Sequence, residues 1–237
     1  MGLYSNGEMV NQYFVDVWHG NLRLTATALQ QLTGLLMDDE RSKAEAFKSA
    51  LLRDRYLAVR GLLRQTLAGY LDVEPVTLAF ETGQYGKPAL VGGALHFNLS
   101  HSADTLLIAV ADFADIGIDI ETCRPRQHLD GLAERCFSDR EYRDWRQLPA
   151  DARLEAFYRL WTKKEAFVKA VGRGIALGIE QCEFQLEKAG QLLVIPPEYG
   201  SASAWLVHEL DVDDAGCAAL VTPARRFNLR RLALSID

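Results

Sequence analysis

The stretch Gly117-Ile118-Asp119-Ile120-Glu121, followed downstream by Trp161-Thr162-Lys163-Lys164-Glu165-Ala166-Phe167-Val168-Lys169, decides how this chain is interpreted. The first stretch alternates as a strand does. Alternate side chains of a strand share a face, so Asp119 and Glu121 point together to one side while the isoleucines point into a core. The sequence therefore predicts two acids aimed at one point from a rigid strand.

The second stretch predicts a helix that adds a third acid and a cation. Glu165 and Lys169 are four residues apart and therefore lie on one stripe of the helix. If the helix crosses the strand, three carboxylates meet around one point. Magnesium prefers a few carboxylates together with phosphate oxygens and water. The alternative is less specific: a solvent-facing strand and an exposed ion pair worth only ~0.3–0.5 kcal/mol.

Composition limits the class of protein. The chain has 237 residues, 49% of them hydrophobic, and a net charge of −6. This length allows one large domain or two small fused ones, and the acidity argues against a nucleic-acid partner. No stretch approaches the ~20 apolar residues that a membrane span needs, and the first residues lack the features of a signal peptide. We expect a cytoplasmic, soluble and monomeric protein with no membrane partner.

The four cysteines are widely scattered and contain no C-x-x-C pair. This spacing predicts neither a zinc site nor a disulfide framework, and free thiols are expected in a reducing compartment. The cysteines are Cys123, Cys136, Cys182 and Cys217.

Periodicity predicts an α+β fold made of two similar halves, 1–114 and 115–237. Each half holds a long helix followed by strands, which suggests a pseudo-twofold pair packed around a shared cleft. A capping box at 138–141 begins one helix of the second half, and Gly172 ends the long one. Helices are predicted at about 22–36, 52–70 and 151–171, and strands at 13–18, 76–80, 106–110, 116–121, 182–186, 192–195, 205–210 and 217–221.

Further polar residues in the first half are candidates for anion binding. The stretch 97–102 places Asn98, Ser100 and His101 at the end of an apolar strand. Lys87 lies in a glycine-bearing loop that Pro88 stiffens, and Lys43 precedes the long helix. Taken singly, such residues are more often ordinary surface or structural groups.

The combination resembles the surfactin-type 4'-phosphopantetheinyl transferases. The resemblance runs from about residue 43 to residue 184, and the last two of its motifs are specific in their order and spacing. The motifs are Gly86-Lys87-Pro88, Phe97-Asn98-Leu99-Ser100-His101-Ser102, Gly117-Ile118-Asp119-Ile120-Glu121 and the run from Phe157 through Trp161, Glu165 and Lys169 to Ile175.

The resemblance implies transfer of 4'-phosphopantetheine from coenzyme A to a serine of an apo acyl or peptidyl carrier protein, leaving adenosine 3',5'-bisphosphate. It implies that the first half contacts coenzyme A and that the second half holds the metal and the catalytic helix. The implied roles are magnesium binding by Asp119, Glu121 and Glu165, proton removal by Glu165, assistance to the leaving group by Lys169, 3'-phosphate binding by Lys43, Ser100 and His101, and contacts to adenine and phosphates by Tyr85, Gly86, Lys87 and Asn98.

Two other functions remain open. A coenzyme A or nucleotide sensor would keep the binding residues without transfer, although the intact acids and Lys169 argue against it. A magnesium-dependent phosphohydrolase would use the same acids on water.

The carrier is expected to be small, acidic and helical, with candidate docking segments at 124–128 and around Cys136 and Phe137.

Overall fold

A computed structural model describes residues 13–174, 178–187, 190–212 and 216–236. The first half contains β1 (Tyr13–Asn21), α1 (Ala26–Gly34), α2 (Asp38–Glu45), α3 (Ala50–Leu71), β2 (Phe80–Thr82), β3 (Pro88–Leu90), β4 (His96–Ser102) and β5 (Thr105–Ala111). The second half contains β6 (Gly117–Thr122), α4 (Leu129–Cys136), α5 (Asp139–Gln147), α6 (Arg153–Val171), β7 (Glu183–Phe184), β8 (Leu192–Val194), β9 (Trp205–Leu210), β10 (Gly216–Pro223) and β11 (Phe227–Ala233).

The order of these elements repeats. Each half runs through a strand, three helices, a short two-stranded hairpin and a longer antiparallel pair. The resulting sheets correspond strand for strand, as β1-β5-β4 in the first half and β6-β10-β9 in the second. The fold is therefore α+β, as the sequence predicts, and its element order has the predicted twofold character.

The last strand breaks the repeat. β11 pairs in parallel with β1, from Tyr13 opposite Phe227 to His19 opposite Ala233, and so adds a fourth strand to the first sheet. Arg230 of β11 donates two hydrogen bonds to the fully buried Asp16 of β1, at 2.6 and 2.5 Å. The C-terminal strand is thus part of the sheet of the N-terminal half. The boundary at residue 114 remains a prediction.

Three cores hold the molecule together. One surrounds α3, one surrounds α6, and the third lies between the two sheets. The third contains Ile116, Ile118 and Ile120, as predicted, packed against residues of the first sheet such as Val15 and Leu107. The opposite face of β6 packs on α6, so the acid strand is covered on both sides.

Gly117 allows that close packing. A Cβ atom at this position would lie 1.9 Å from the carbonyl oxygen of Ala166 and 2.4 Å from the backbone nitrogen of Ala170, both in α6. A larger residue would push the helix away from the strand. α6 itself ends at Gly172, whose φ of 70° lies in the left-handed region that glycine adopts without strain.

Equivalent buried ion pairs stand in the two halves. The second helix of each half begins with a glutamate at its third position that accepts a bond from the backbone of the residue before the helix. In the first half Glu40 binds Arg64 of α3 at 2.6 Å, and in the second Glu141 binds Lys164 of α6 at 2.7 Å. All four side chains are buried.

The two cations also cap equivalent turns. Arg64 donates to the carbonyl oxygens of Pro75 and Leu78, and Lys164 donates to those of Ile179 and Cys182. In both halves the two carbonyls are three residues apart and bracket a single 3-10 turn. The two halves therefore correspond residue for residue at these ion pairs and turns, although few of their residues are identical.

Three predicted elements are wrong in detail. The helix expected at 22–36 is shorter, since α1 covers only Ala26–Gly34, and α2, which follows it, was not predicted. The strand expected at 76–80 is a 3-10 turn that begins with proline and leads into β2. The strand expected at 182–186 is reduced to β7. Among the described residues, no helix combines the length and apolarity needed to cross a bilayer.

Candidate active site

Asp119 is the centre of the candidate site. Its side chain is on the face of β6 that packs on α6 and is 6% exposed. The Ser100 hydroxyl donates to Oδ1 at 2.8 Å, and the Lys169 amino group lies 2.7 Å from the same oxygen. The expectation that Asp119 points away from the protein interior is wrong, because α6 and β4 both cover that face of the strand.

The second oxygen of Asp119 is different. Oδ2 is buried and has no hydrogen-bond partner among the residues that the structure describes. A buried carboxylate oxygen without a partner is unfavourable unless a donor or a cation satisfies it. This orphaned oxygen is the chemical feature of the site that best fits a bound cation.

Glu121 and Glu165 complete the acid group. Desolvation raises the pKa of Glu121 and the charge of Asp119 raises it further, although Ser102 donates to Glu121 Oε2 at 3.1 Å. Desolvation also raises the pKa of Glu165, and Asp119 and Glu121 add to this while Lys169 opposes it. The charge of Asp119 therefore opposes ionisation of both glutamates, which places the three predicted acids near one another.

A ladder of side chains from β4 fixes the acid strand. Asn98, Ser100 and Ser102 alternate along β4 and reach across to β6, which is not hydrogen-bonded to β4 through the backbone. Their oxygens accept from backbone N–H groups that would otherwise lack partners. The bonds join Asn98 to Ile118 at 2.8 Å, Ser100 to Ile120 at 3.4 Å and Ser102 to Thr122 at 3.0 Å.

A large cleft lies beside the acids. It has a volume of about 810 Å³ and is bounded by α2, α3, the β2–β3 hairpin, β4 and the end of α6. Lys169 lines this cleft and also binds Asp119, so it joins the cleft to the acid group. Five of the seven residues predicted to contact coenzyme A line it: Lys43, Tyr85, Gly86, Lys87 and Asn98.

Two of these residues are held by specific contacts. The Lys87 amino group donates to the carbonyl oxygens of Ile116 and Ala170, both at 3.2 Å. Burial lowers the pKa of Lys87, while Asp115 opposes the shift. The Tyr85 ring lies under the Arg173 guanidinium, 5.0 Å from ring centroid to Cζ, and its hydroxyl accepts a bond from Arg173.

Ser100 and His101 are placed differently. Ser100 is among the acids rather than in the wall of the cleft, and its hydroxyl is directed to Asp119. His101 as a whole residue is exposed. Desolvation of its ring by the surrounding protein nevertheless lowers its pKa, and the charges of Arg55 and Lys169 lower it further. Lys43 is also exposed and lies 5.6 Å from the Tyr56 ring centroid.

Sequence reasoning missed part of the cleft wall. Arg60 and Arg64 line it, with Arg60 4.6 Å from the Phe80 ring centroid, and both bind Glu40. Burial opposes ionisation of Glu40, but Arg64 and Arg60 hold its pKa below the usual value. Ser102 was missed too, although the alternation of polar residues at 98, 100 and 102 was a usable signal.

The acids are not arranged as a finished metal centre. Within the described ranges, no cluster of three or more His, Cys, Asp or Glu side chains has the geometry to hold a metal ion. The donor chemistry nevertheless fits a hard cation, since the oxygens come from carboxylates and one of them lacks a partner.

Comparison with known proteins identifies the family. A sequence model of the 4'-phosphopantetheinyl transferase superfamily matches residues 115–221. The chain is 40% identical to 4'-phosphopantetheinyl transferase HetI of Nostoc sp. over 214 residues, which cover 89% of this chain and 87% of that protein. It is 34% identical to 4'-phosphopantetheinyl transferase psf-1 of Bacillus pumilus over 77% of this chain and 78% of that protein.

A third relative is 4'-phosphopantetheinyl transferase Sfp of Bacillus subtilis, 30% identical over 77% of this chain and 80% of that protein. These relatives are all transferases, so the comparisons define this chain as a group-transferring enzyme. The chain belongs to the 4'-phosphopantetheinyl transferase superfamily, and the resemblance inferred from the motifs is confirmed.

Proposed function

We propose that this enzyme transfers 4'-phosphopantetheine from coenzyme A to a serine hydroxyl of an apo acyl or peptidyl carrier protein, in a magnesium-dependent reaction. The observation that carries the proposal is Lys169, which lines the large cleft and binds Asp119 at 2.7 Å. A donor seated in the cleft would therefore bring its phosphates to the acid group.

Asp119, Glu121 and Glu165 are the proposed magnesium ligands. The partnerless Oδ2 of Asp119 and the raised pKa values of the two glutamates support this assignment. When bound, magnesium would neutralise the charge that develops on the pyrophosphate as the phosphoanhydride bond breaks. The ladder from β4 keeps the two strand acids in place.

Glu165 is the proposed base. Its carboxylate can accept a proton, and its position on α6 leaves it partly exposed. It would remove the proton of the carrier serine directly or through water. Lys169, one turn further on, would stabilise the departing phosphate.

The cleft is the proposed site for the nucleotide part of the donor. Lys43, Tyr85, Gly86, Lys87 and Asn98 line it. Ser100 and His101 do not line it, and the family resemblance alone assigns them, with Lys43, to the 3'-phosphate. Charge-assisted hydrogen bonds contribute ~1.5–3 kcal/mol each. Coenzyme A should thus bind more tightly than its dephospho form. His101→Ala should reduce this difference in affinity. Equal affinity for both would remove these residues from the site.

The reaction itself is the test. With magnesium and coenzyme A, the protein should add one phosphopantetheine to an apo carrier, detected as a single mass increment on the motif serine. Incubation with coenzyme A alone distinguishes the hydrolase, since rapid release of adenosine bisphosphate without a carrier would support hydrolysis. Failure to modify any carrier in a broad panel, with coenzyme A bound, would favour a sensor.

Several finer expectations remain predictions. They are the carrier-docking segments at 124–128 and around Cys136 and Phe137, the division of labour between residues 1–114 and 115–237, the monomeric state, the cytoplasmic location, and the absence of nucleic-acid and membrane partners.

A further inference from the structure

Two of the four cysteines are in direct contact. The sulfur of Cys123 lies 3.4 Å from the sulfur of Cys217. Cys123 immediately follows β6, and Cys217 lies in β10 opposite Glu121. The pair is therefore diagonal across two neighbouring strands, a relation in which side chains on the same face reach each other. Cys217 is also 3.8 Å from the carbonyl oxygen of Glu155 in α6, which places the pair on the helix-covered face.

We propose that Cys123 and Cys217 form a reversible disulfide, closed by a low-molecular-weight disulfide and reopened by excess thiol. The sulfur–sulfur distance in a disulfide is ~2.05 Å, so the two sulfurs must approach by about 1.4 Å from their observed separation. Within the described residues, backbone pairing of β6 with β10 ends at Thr122 opposite Gly216, and β6 itself ends at Thr122. Cys123 follows the strand, so it can shift without breaking these pairs.

The exposure of the two thiols sets the order of events. Cys123 is partly exposed, whereas Cys217 is 9% exposed. A small disulfide therefore reaches Cys123 first, and Cys217 stands directly behind it. An accessible thiol with a second thiol beside it can act as an attacking and a resolving cysteine. Burial raises the pKa of both thiols, so both exchanges should be slow at neutral pH and faster at alkaline pH.

The chemistry balances in two exchanges. Cys123 loses its proton and attacks one sulfur of the reagent, which forms a mixed disulfide and releases one reagent thiol. Cys217 loses its proton and attacks the Cys123 sulfur, which forms the internal bond and releases the second reagent thiol. The protein loses two hydrogen atoms, that is, two protons and two electrons, and the reagent is reduced to two thiols.

The bond would lie beside the acid site. Glu121 is two residues before Cys123 and opposite Cys217, and the Ser102 hydroxyl binds both Glu121 and the backbone of Thr122. Closing the disulfide would draw the end of β6 toward β10. The functional consequence rests on the proposed transferase activity: we expect the oxidised protein to transfer more slowly and to recover when reduced.

Glutathione disulfide is the probe, and intact mass is the readout. After incubation of the folded protein with glutathione disulfide, the mass should fall by two hydrogen atoms, and the cross-linked peptide should contain Cys123 and Cys217. Dithiothreitol should restore the original mass. A protein that carries only stable glutathione adducts, or that keeps its reduced mass under conditions that oxidise a control dithiol, would overturn the proposal. This readout is independent of transferase activity.

Matched variants locate the reaction. Cys217→Ala should stop at a single glutathione adduct on Cys123, because the resolving thiol is gone. The Cys136→Ala/Cys182→Ala double variant keeps only the proposed pair and should still lose two hydrogen atoms. Internal oxidation that disappears in this double variant, with circular dichroism unchanged, would assign the bond to other thiols. An oxidised wild-type protein with an unchanged transfer rate would remove the functional consequence alone.

Discussion

The amino group of Lys169 lies 2.7 Å from Oδ1 of Asp119, while Oδ2 of the same carboxylate has no partner in the described part of the chain. The two oxygens therefore have different roles. Oδ1 ties α6 to β6, supported by a second bond from Lys169 to the carbonyl oxygen of Ile118 at 3.2 Å. Oδ2 remains the oxygen that a cation would satisfy.

Replacing Asp119 by asparagine tests this division. The amide oxygen of Asp119→Asn can still accept from Ser100 and Lys169, so the fold should persist. The charge and the free carboxylate oxygen are lost, and metal assistance is worth several kcal/mol, so the rate of carrier modification should fall by about 10²-fold or more. The measurement is the initial rate across a magnesium titration, with thermal melting as the control. A rate close to wild type with the same magnesium dependence would remove Asp119 from the metal site.

Ser102 is predicted to position Glu121. Ser102→Ala deletes the bonds to Glu121 and to the Thr122 backbone, observed at 3.1 and 3.0 Å. A partly buried N–H left without a partner costs ~1–3 kcal/mol. The variant should melt at a lower temperature and need more magnesium for half-maximal rate. Ser102→Thr keeps the hydroxyl and should restore most of the melting temperature and of the magnesium dependence. If Ser102→Thr behaves as Ser102→Ala does, the hydroxyl does not position Glu121.

The fold could be predicted where local patterns and tertiary contacts agree. The capping box at Ser138 and the stop at Gly172 both occur as expected, because each depends only on neighbouring residues. β11 was missed because its exposed, arginine-rich sequence resembles a surface segment. Its strand structure comes from pairing with β1, more than two hundred residues earlier in the chain, and from the Arg230–Asp16 ion pair.

The site was predictable in its residue types but less so in its environment. Spacing predicted that Asp119, Glu121 and Glu165 face one site, and the charge of Asp119 does raise the pKa of both glutamates; their role as metal ligands stays a prediction. Spacing could not show that Asp119 is buried, because that depends on how closely α6 approaches. It also could not show that Ser100 is directed to Asp119, since strand alternation gives a face but not the neighbour across it.

Gly117 is predicted to set the distance between the strand acids and Glu165. In Gly117→Ala the new Cβ would meet backbone atoms of α6 at 1.9 and 2.4 Å, and backbone cannot rotate away. Overpacking costs ~1–3 kcal/mol, and each kcal/mol lowers the melting temperature by ~2–4 °C at this chain length. Transfer should slow as well, because α6 carries Glu165. Gly131→Ala is the matched control, since nothing lies within 4 Å of its Cβ; equal behaviour of the two variants would refute the packing argument.

The pair formed by Glu141 and Lys164 gives a prediction about stability and pH. Lys164→Met removes the cation that lies 2.7 Å from a buried glutamate. Leaving a buried charge without its partner costs ~3–5 kcal/mol. Arg64→Met should cost less, because Arg60 still binds Glu40. Denaturant unfolding of both variants measures these losses.

The loss in Lys164→Met should depend on pH. Burial raises the pKa of Glu141 even though Lys164 opposes the shift. A pKa raised in the folded state means that the native protein binds the proton more tightly than the unfolded chain, so stability falls as pH rises above the usual glutamate value. Without Lys164 the pKa of Glu141 rises further. The decrease in stability with rising pH therefore becomes steeper and extends to higher pH. The deficit in unfolding free energy relative to wild type should therefore be smaller at about pH 5 than at about pH 7.5. Adding Glu141→Gln to Lys164→Met should remove most of the pH dependence; a deficit that is constant with pH in Lys164→Met itself would show that Glu141 is not the group left unpaired.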